Sequence, residues 1–123
     1  MKILPLKGYR ALKALNAFNA LLLGLKMLPI HLEKSYVEFF EGFKSKTDAE
    51  KETMIRQAVA FVPLNDDEIE ALVSFTVDSN GIAYSKVNVN NLGVQELHEI
   101  IVAVCMAIGR IKIDLVTEEE KKN

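Results

Sequence analysis

Residues 4–32 read LPLKGYRALKALNAFNALLLGLKMLPIHL, a stretch without a single acidic side chain in a chain that holds 17 Asp and Glu. Ala, Leu and Lys are strong helix formers, and no proline interrupts residues 9–28. The stretch predicts a long opening helix. Arg10, Lys13, Asn16 and Asn19 recur every third residue and trace a slowly drifting polar face, while Leu12, Leu15, Phe18, Leu22 and Leu25 occupy the other side. From Ala20 to Leu25 the helix is apolar nearly all round, with Gly24 lacking a side chain. A helix of that kind must be covered from more than one direction, which points to an all-helical body packed around it. Pro29 ends it.

The rest of the chain repeats the helical theme. Pro29 suits a first helical position, and a second helix is expected from residue 29 or 30 to about 43. Its Tyr36, Val37, Phe39, Phe40 and Phe43 form an aromatic stripe with i,i+4 pairs, read as core packing. Thr47-Asp48-Ala49-Glu50 is a capping-box start, followed by Met54, Ile55, Ala58, Val59 and Val62 at helical spacing and stopped by Pro63. Asn65-Asp66-Asp67-Glu68 starts a fourth helix, its carboxylates favoured by the positive end of the helix dipole. Asp78-Ser79-Asn80-Gly81 is a turn. A last helix is expected from about Gly93 to Ile108, with Gly109 ending it. Alternation at residues 82–89 and 111–116 suggests a small β-hairpin or strand pair, with a short helical turn capped by Ser85 and a helix extension over 111–116 as the other readings. The fold class is therefore mainly α: a single domain of about five helices over residues 1–116, with a mobile polar tail over 117–123.

Composition narrows the function. At 123 residues, with 50% hydrophobic and 26% charged side chains, the chain suits one soluble domain able to bury a core without disulfides or metal. Charge is polarised: residues 1–46 hold 8 basic and 3 acidic side chains, residues 47–123 hold 7 and 14. Lys7, Arg10 and Lys13 interrupt the opening run, and no small-residue cleavage pattern follows Leu28, unlike a signal peptide. Lys13, Asn16, Asn19 and Lys26 are too polar for a bilayer span. The expected location is the cytoplasm, away from membranes.

Chemistry-bearing motifs are missing from the sequence. His98-Glu99 opens like a zinc-binding helix, but position 102 is valine rather than histidine. Asp78, Asn80 and Gly81 mimic a calcium loop whose glycine comes too early and which no glutamate closes. Asp66, Asp67, Glu68 and Glu70 read as capping rather than as paired carboxylates or a magnesium site. Cys105, in the run IIVAVCMAIG, reads as a buried, inert thiol. Neither a Gly-x-Ser-x-Gly elbow nor a glycine-rich phosphate loop occurs. No catalytic residue, cofactor or metal site is expected, so the chain reads as a binding protein and not an enzyme. Four spaced cations with an acidic body behind them make a thin nucleic-acid surface, and the opening helix lacks the interfacial tryptophan of a membrane-surface helix. A protein-contact helix fits best.

LKGYRALKALNAFNALLLGLKMLP, then SYVEFFEGF, then DSNGIAYSKVNVNNLGVQELHEIIVAVCMAIGRIKIDLVTEEEKKN together resemble the tail assembly chaperones of long-tailed bacteriophages and prophages. The resemblance covers most of the chain and rests on helix order, on the Leu92-Gly93-x-x-Glu96-Leu97 helix start and on the ending. Lys121-Lys122-Asn123 can be encoded as the slippery heptamer A AAA AAC, in keeping with a family often made in two lengths by a backward ribosomal slip. The resemblance implies a non-catalytic protein of the bacterial host cytoplasm. Such a protein binds the tape measure protein, keeps its apolar helices soluble and recruits the major tail tube protein. Contact with a second copy, or with a frameshift-extended form, is part of that expectation. Leu21, Leu22, Leu25 and Met27 are the contact candidates, with Arg10 and Lys13 orienting an acidic partner; the other reading of the leucines is that they are core. The alternative is a small virion structural or connector protein of a phage or prophage.

Overall fold

A computed structural model describes the backbone of residues 1–122 and the side chains of residues 1–110. Its helices are α1 (Gly8–Lys26), α2 (Tyr36–Ser45), α3 (Asp48–Phe61), α4 (Asp66–Val73) and α5 (Val94–Lys122), with short 3-10 turns at Pro29–His31 and Val89–Asn91. The mainly helical architecture is the one expected from the sequence. α1 packs against α3, α4 and α5, and α5 also lies against α3 and α4. The expectation of a mobile tail over 117–123 falls on residues outside the described side chains.

Local chemistry explains most of the boundaries. At α3 the Thr47 hydroxyl accepts from the Glu50 backbone N–H (3.2 Å) and the Glu50 carboxylate accepts from the Thr47 backbone N–H (3.1 Å). Asn65 and Glu68 do the same at α4, at 2.8 and 3.1 Å. Each box satisfies two backbone donors that a helix start otherwise leaves bare.

Three boundaries differ from the expected ones. The single helix expected over residues 29–43 is instead a 3-10 turn and α2, because the Ser35 side chain caps α2 by accepting from the Glu38 backbone N–H at 3.2 Å. Gly109 does not end α5. It is buried in mid-helix, and a Cβ placed there would stand 3.5 Å from Cζ of Phe18 and 4.0 Å from the Phe43 ring. The strand expected over 111–116 is helix, as part of α5.

Extended pairing is confined to isolated bridges, among the described residues, between Ile3 and Thr76 and between Val77 and Ala83. Residues 82–84 therefore turn back on 75–77 and not toward 111–116. The turn between them is set by Asp78, whose carboxylate accepts from the backbone N–H groups of Asn80 (2.8 Å) and Ile82 (3.0 Å). Gly81 supplies the positive φ of 79° that the reversal requires. Beyond it, Val89 sits in a 3-10 turn rather than in a strand.

The core lies between the inward face of α1 and the other helices. Ala14, Ala17, Phe18, Leu21, Leu22 and Leu25 of α1 are buried with Ile55 and Ala58 of α3, Leu72 and Val73 of α4, and Ile100, Ile101, Val104, Cys105 and Ile108 of α5. Phe39 and Phe43 close it from α2, the Phe43 ring meeting Phe18 edge-on at 6.1 Å between centroids. Across the surface, the Arg56 guanidinium on α3 forks onto both carboxylate oxygens of Glu99 on α5, at 2.7 and 2.9 Å.

Gly24 of α1 lies against Val62 at the end of α3. A Cβ there would lie 2.7 Å from both methyl carbons of Val62, a β-branched side chain with little rotamer freedom. Gly24→Ala is expected to lose up to about 2 kcal/mol, because overpacking of ~1–3 kcal/mol outweighs a helix-propensity gain of ~1 kcal/mol. Gly109→Ala, whose Cβ would meet only ordinary contacts, is expected to be neutral or to gain up to about 1 kcal/mol. Urea unfolding of the two variants checks both signs.

Candidate partner-binding surface

The residues singled out from the sequence divide into two groups. Leu21, Leu22 and Leu25 are buried, at 2%, 2% and 0% exposure, and present no surface to a partner in the folded chain. The reason is the rotational phase of α1. An apolar run on all sides leaves that phase open, and packing of α3, α4 and α5 sets it. Met27, at 55% exposure, is on the surface, as are Arg10 and Lys13. Leu12, placed by the sequence on the apolar side with Phe18, is also exposed.

Arg10 and Lys13 have acidic neighbours within their own chain. Both line a cleft with Glu70, Ser74 and Tyr84, and Lys13 lines a second with Asp67 and Glu68. The Asp67 carboxyl is held below its ordinary range, first by its hydrogen bond to the Lys86 ammonium and also by the nearby charge of Lys13. Lys86 in turn donates its backbone N–H to the Glu70 carboxylate at 2.8 Å. Arg10 and Lys13 of the opening helix thus stand beside carboxylates of α4.

Those carboxylates are engaged in structure. Glu68 closes a capping box, Glu70 anchors the loop before α5, and Asp67 holds Lys86. Asp78 is held in its own turn. Cys105 is buried, and desolvation pushes its thiol up to about 12. Among the described residues no cluster of His, Cys, Asp and Glu has the makings of a metal site, and no helix is long and apolar enough to cross a membrane.

What stands out instead is apolar surface at the junction of α1 and α2. Met27, Ile30, Leu32, Tyr36 and Val37 lie within eleven consecutive residues and are all exposed, Ile30 and Val37 at 71%. Scattered apolar residues on a surface are ordinary, but a cluster marks a contact site. The cluster is braced from beneath. Lys26, nearly buried, holds its ammonium 5.2 Å from the centre of the Tyr36 ring, and Tyr36 stacks on Phe40. His31 packs edge-on against Phe39 at 5.2 Å. Sequence reading placed Tyr36 and Val37 in the core stripe and did not single out Ile30 or Leu32. The signal that could have found them is Ser35-x-x-Glu38, a helix start that cuts the stripe and leaves residues 29–35 as an exposed connection.

No family model, curated protein or solved structure matches this chain.

The junction carries a pH dependence. Nδ1 of His31 is buried without a hydrogen-bond partner, and desolvation, then the charges of Lys34 and Lys46, lower its pKa from the ordinary 6.5. The fold therefore favours the neutral imidazole. Its contribution is whole above pH 6.5 and is lost as pH falls below that value, because the unfolded chain takes up the proton first. Unfolding free energies of the wild type and of His31→Leu, measured from about pH 7.5 to pH 5, should diverge in slope. The wild type loses more stability on acidification.

Proposed function

We propose that this protein is a tail assembly chaperone of a long-tailed bacteriophage or prophage. It works without catalysis in the host cytoplasm, binds the tape measure protein and recruits tail tube subunits while the tail is built. The observation that carries this reading is the exposed apolar cluster Met27, Ile30, Leu32, Tyr36 and Val37 on a small helical body. It is joined to the resemblance in the opening helix, the aromatic segment and the Leu92–Leu97 helix start.

The physical fit is direct. A tape measure protein is a very long helical client whose apolar faces need cover before the tube encloses them. A cluster of aliphatic and aromatic side chains braced by Lys26 and Phe40 can take the apolar face of an amphipathic helix. Several copies bound along one client gain avidity from the shared tether even where each contact is weak. Arg10 and Lys13, facing acids of their own chain, have a smaller part in client binding than the apolar cluster does.

Co-expression with the tape measure protein encoded alongside it tests this. The wild type is expected to hold the client in the soluble fraction and to copurify with it. Ile30→Glu combined with Val37→Glu should leave the circular dichroism spectrum intact and weaken client binding by about 100-fold, as the loss of two contact anchors of ~1–2 kcal/mol each implies. Stoichiometric recovery of the chain from purified particles would instead make it a structural component of the virion.

A further inference from the structure

Of the carboxylates at the start of α4, three have a task inside the fold. Glu68 closes the capping box, Asp67 holds the Lys86 ammonium, and Oε2 of Glu70 accepts from the Lys86 backbone. Asp66 has none. It is exposed, and its carboxylate takes part in no hydrogen bond or ion pair among the described residues. Lys86 feels its charge without bonding to it.

Asp66 and Glu70 line a groove of about 290 Å³ between the starts of α4 and α5, together with Ile69, Leu92, Val94 and Leu97. Ile69, Leu92 and Leu97 are half-buried against the core, whereas Val94 is 87% exposed. Lys86 also lines the groove, with its ammonium held by Asp67. Three carboxylates (Asp66, Asp67 and Glu70) thus stand against one ammonium, and the groove is left acidic. An apolar wall edged by carboxylates suits a side chain that is apolar along its stem and cationic at its head. We propose that this groove takes an arginine side chain of a partner protein. Its methylene stem lies against Ile69, Leu92 and Leu97, and its guanidinium forks onto Asp66 with Glu70 beside it. The planar fork matches a carboxylate with two parallel N–H···O bonds, which an ammonium cannot do. The chain makes the same bond within itself, where Arg56 forks onto Glu99. A second hollow of about 540 Å³ shares Leu92 and Val94 and carries Glu96. The segment bearing the arginine therefore has an apolar path to lie on, with a further carboxylate along it.

This surface is separate from the α1–α2 junction. Lys13 shares its clefts with Glu70, and Met27 begins the junction, about 21 Å further along α1. Binding is read with a short amphipathic helical peptide of Ala, Leu and Arg, and with its twin carrying citrulline, the neutral isostere, at every arginine. In an NMR titration at about 50 mM salt the arginine peptide should shift the backbone amides of Ile69, Glu70, Leu92 and Leu97. A dissociation constant on the order of 0.1–1 mM is expected of one exposed fork and a small apolar contact. The citrulline peptide should bind at least ~5-fold more weakly, and Asp66→Asn should weaken the arginine peptide as much while leaving the circular dichroism unchanged. Raising the salt to about 300 mM should weaken binding further. No shift at millimolar peptide overturns the proposal, as does indifference to Asp66→Asn. Shifts spread over carboxylates of the whole surface show unspecific attraction and overturn the site. Equal binding of the citrulline peptide, or shifts at Ile30–Val37 alone, assigns the peptide to the apolar junction and overturns it too. A lysine peptide that binds as well overturns the arginine assignment.

Discussion

The rest of this structure depends on burial of one side of α1. Ala14, Ala17, Phe18, Leu21, Leu22 and Leu25 form an unbroken apolar strip against which α3, α4 and α5 pack. Burial of each large side chain is worth roughly 1.5–3 kcal/mol. Phe18 is the centre of it. Its ring meets Phe43 on α2 edge-on and stands beside Gly109 on α5, so one side chain of α1 touches the packing of two other helices. The close packing of Gly24 against Val62 belongs to the same constraint, because a side chain there would meet the Val62 methyl groups.

Burying that side decides what remains outside. A helix has one rotational phase, and inward Leu21, Leu22 and Leu25 force Leu12, Leu23 and Met27 outward. The result is a helix with apolar side chains on two opposite faces, one buried in the core and one exposed. Electrostatics follow the same geometry. α1 is laid along the start of α4, where Arg10 and Lys13 share clefts with carboxylates of their own chain. Lys86 completes this arrangement by holding Asp67 and, through its backbone, Glu70. Exposed apolar side chains remain at the α1–α2 junction and on the outer face of α1.

Features whose chemistry is complete within four residues were legible in the sequence. The capping boxes at Thr47 and Asn65 and the Asp78–Gly81 turn are closed by hydrogen bonds between near neighbours, so residue type and spacing suffice to place them. The break at Ser35 had the same kind of local signal, Ser-x-x-Glu, masked by an aromatic spacing that suits a continuous helix equally well. The passage of α5 through Gly109 had no local signal. A glycine in isolation disfavours helix, and here the helix continues through it with the rings of Phe18 and Phe43 packed beside it. The bridges of Ile3 to Thr76 and Val77 to Ala83 show the same division: the hairpin turn is written locally, whereas the partner of Ile3 lies some seventy positions away.

The sequence by itself determined that the chain is helical, where most of its helices start, that α1 must be covered from more than one direction, and that Cys105 belongs inside. These follow from propensity, periodicity and local hydrogen bonding. The tertiary structure alone decided which leucines of α1 are core and which are surface, that Arg10 and Lys13 face carboxylates of α4, and that Ile30, Leu32 and Val37 stand in solvent. The reason is that an apolar run on all sides of a helix carries no phase of its own. Phase comes from the helices that pack against it, and with it comes the surface left to a partner.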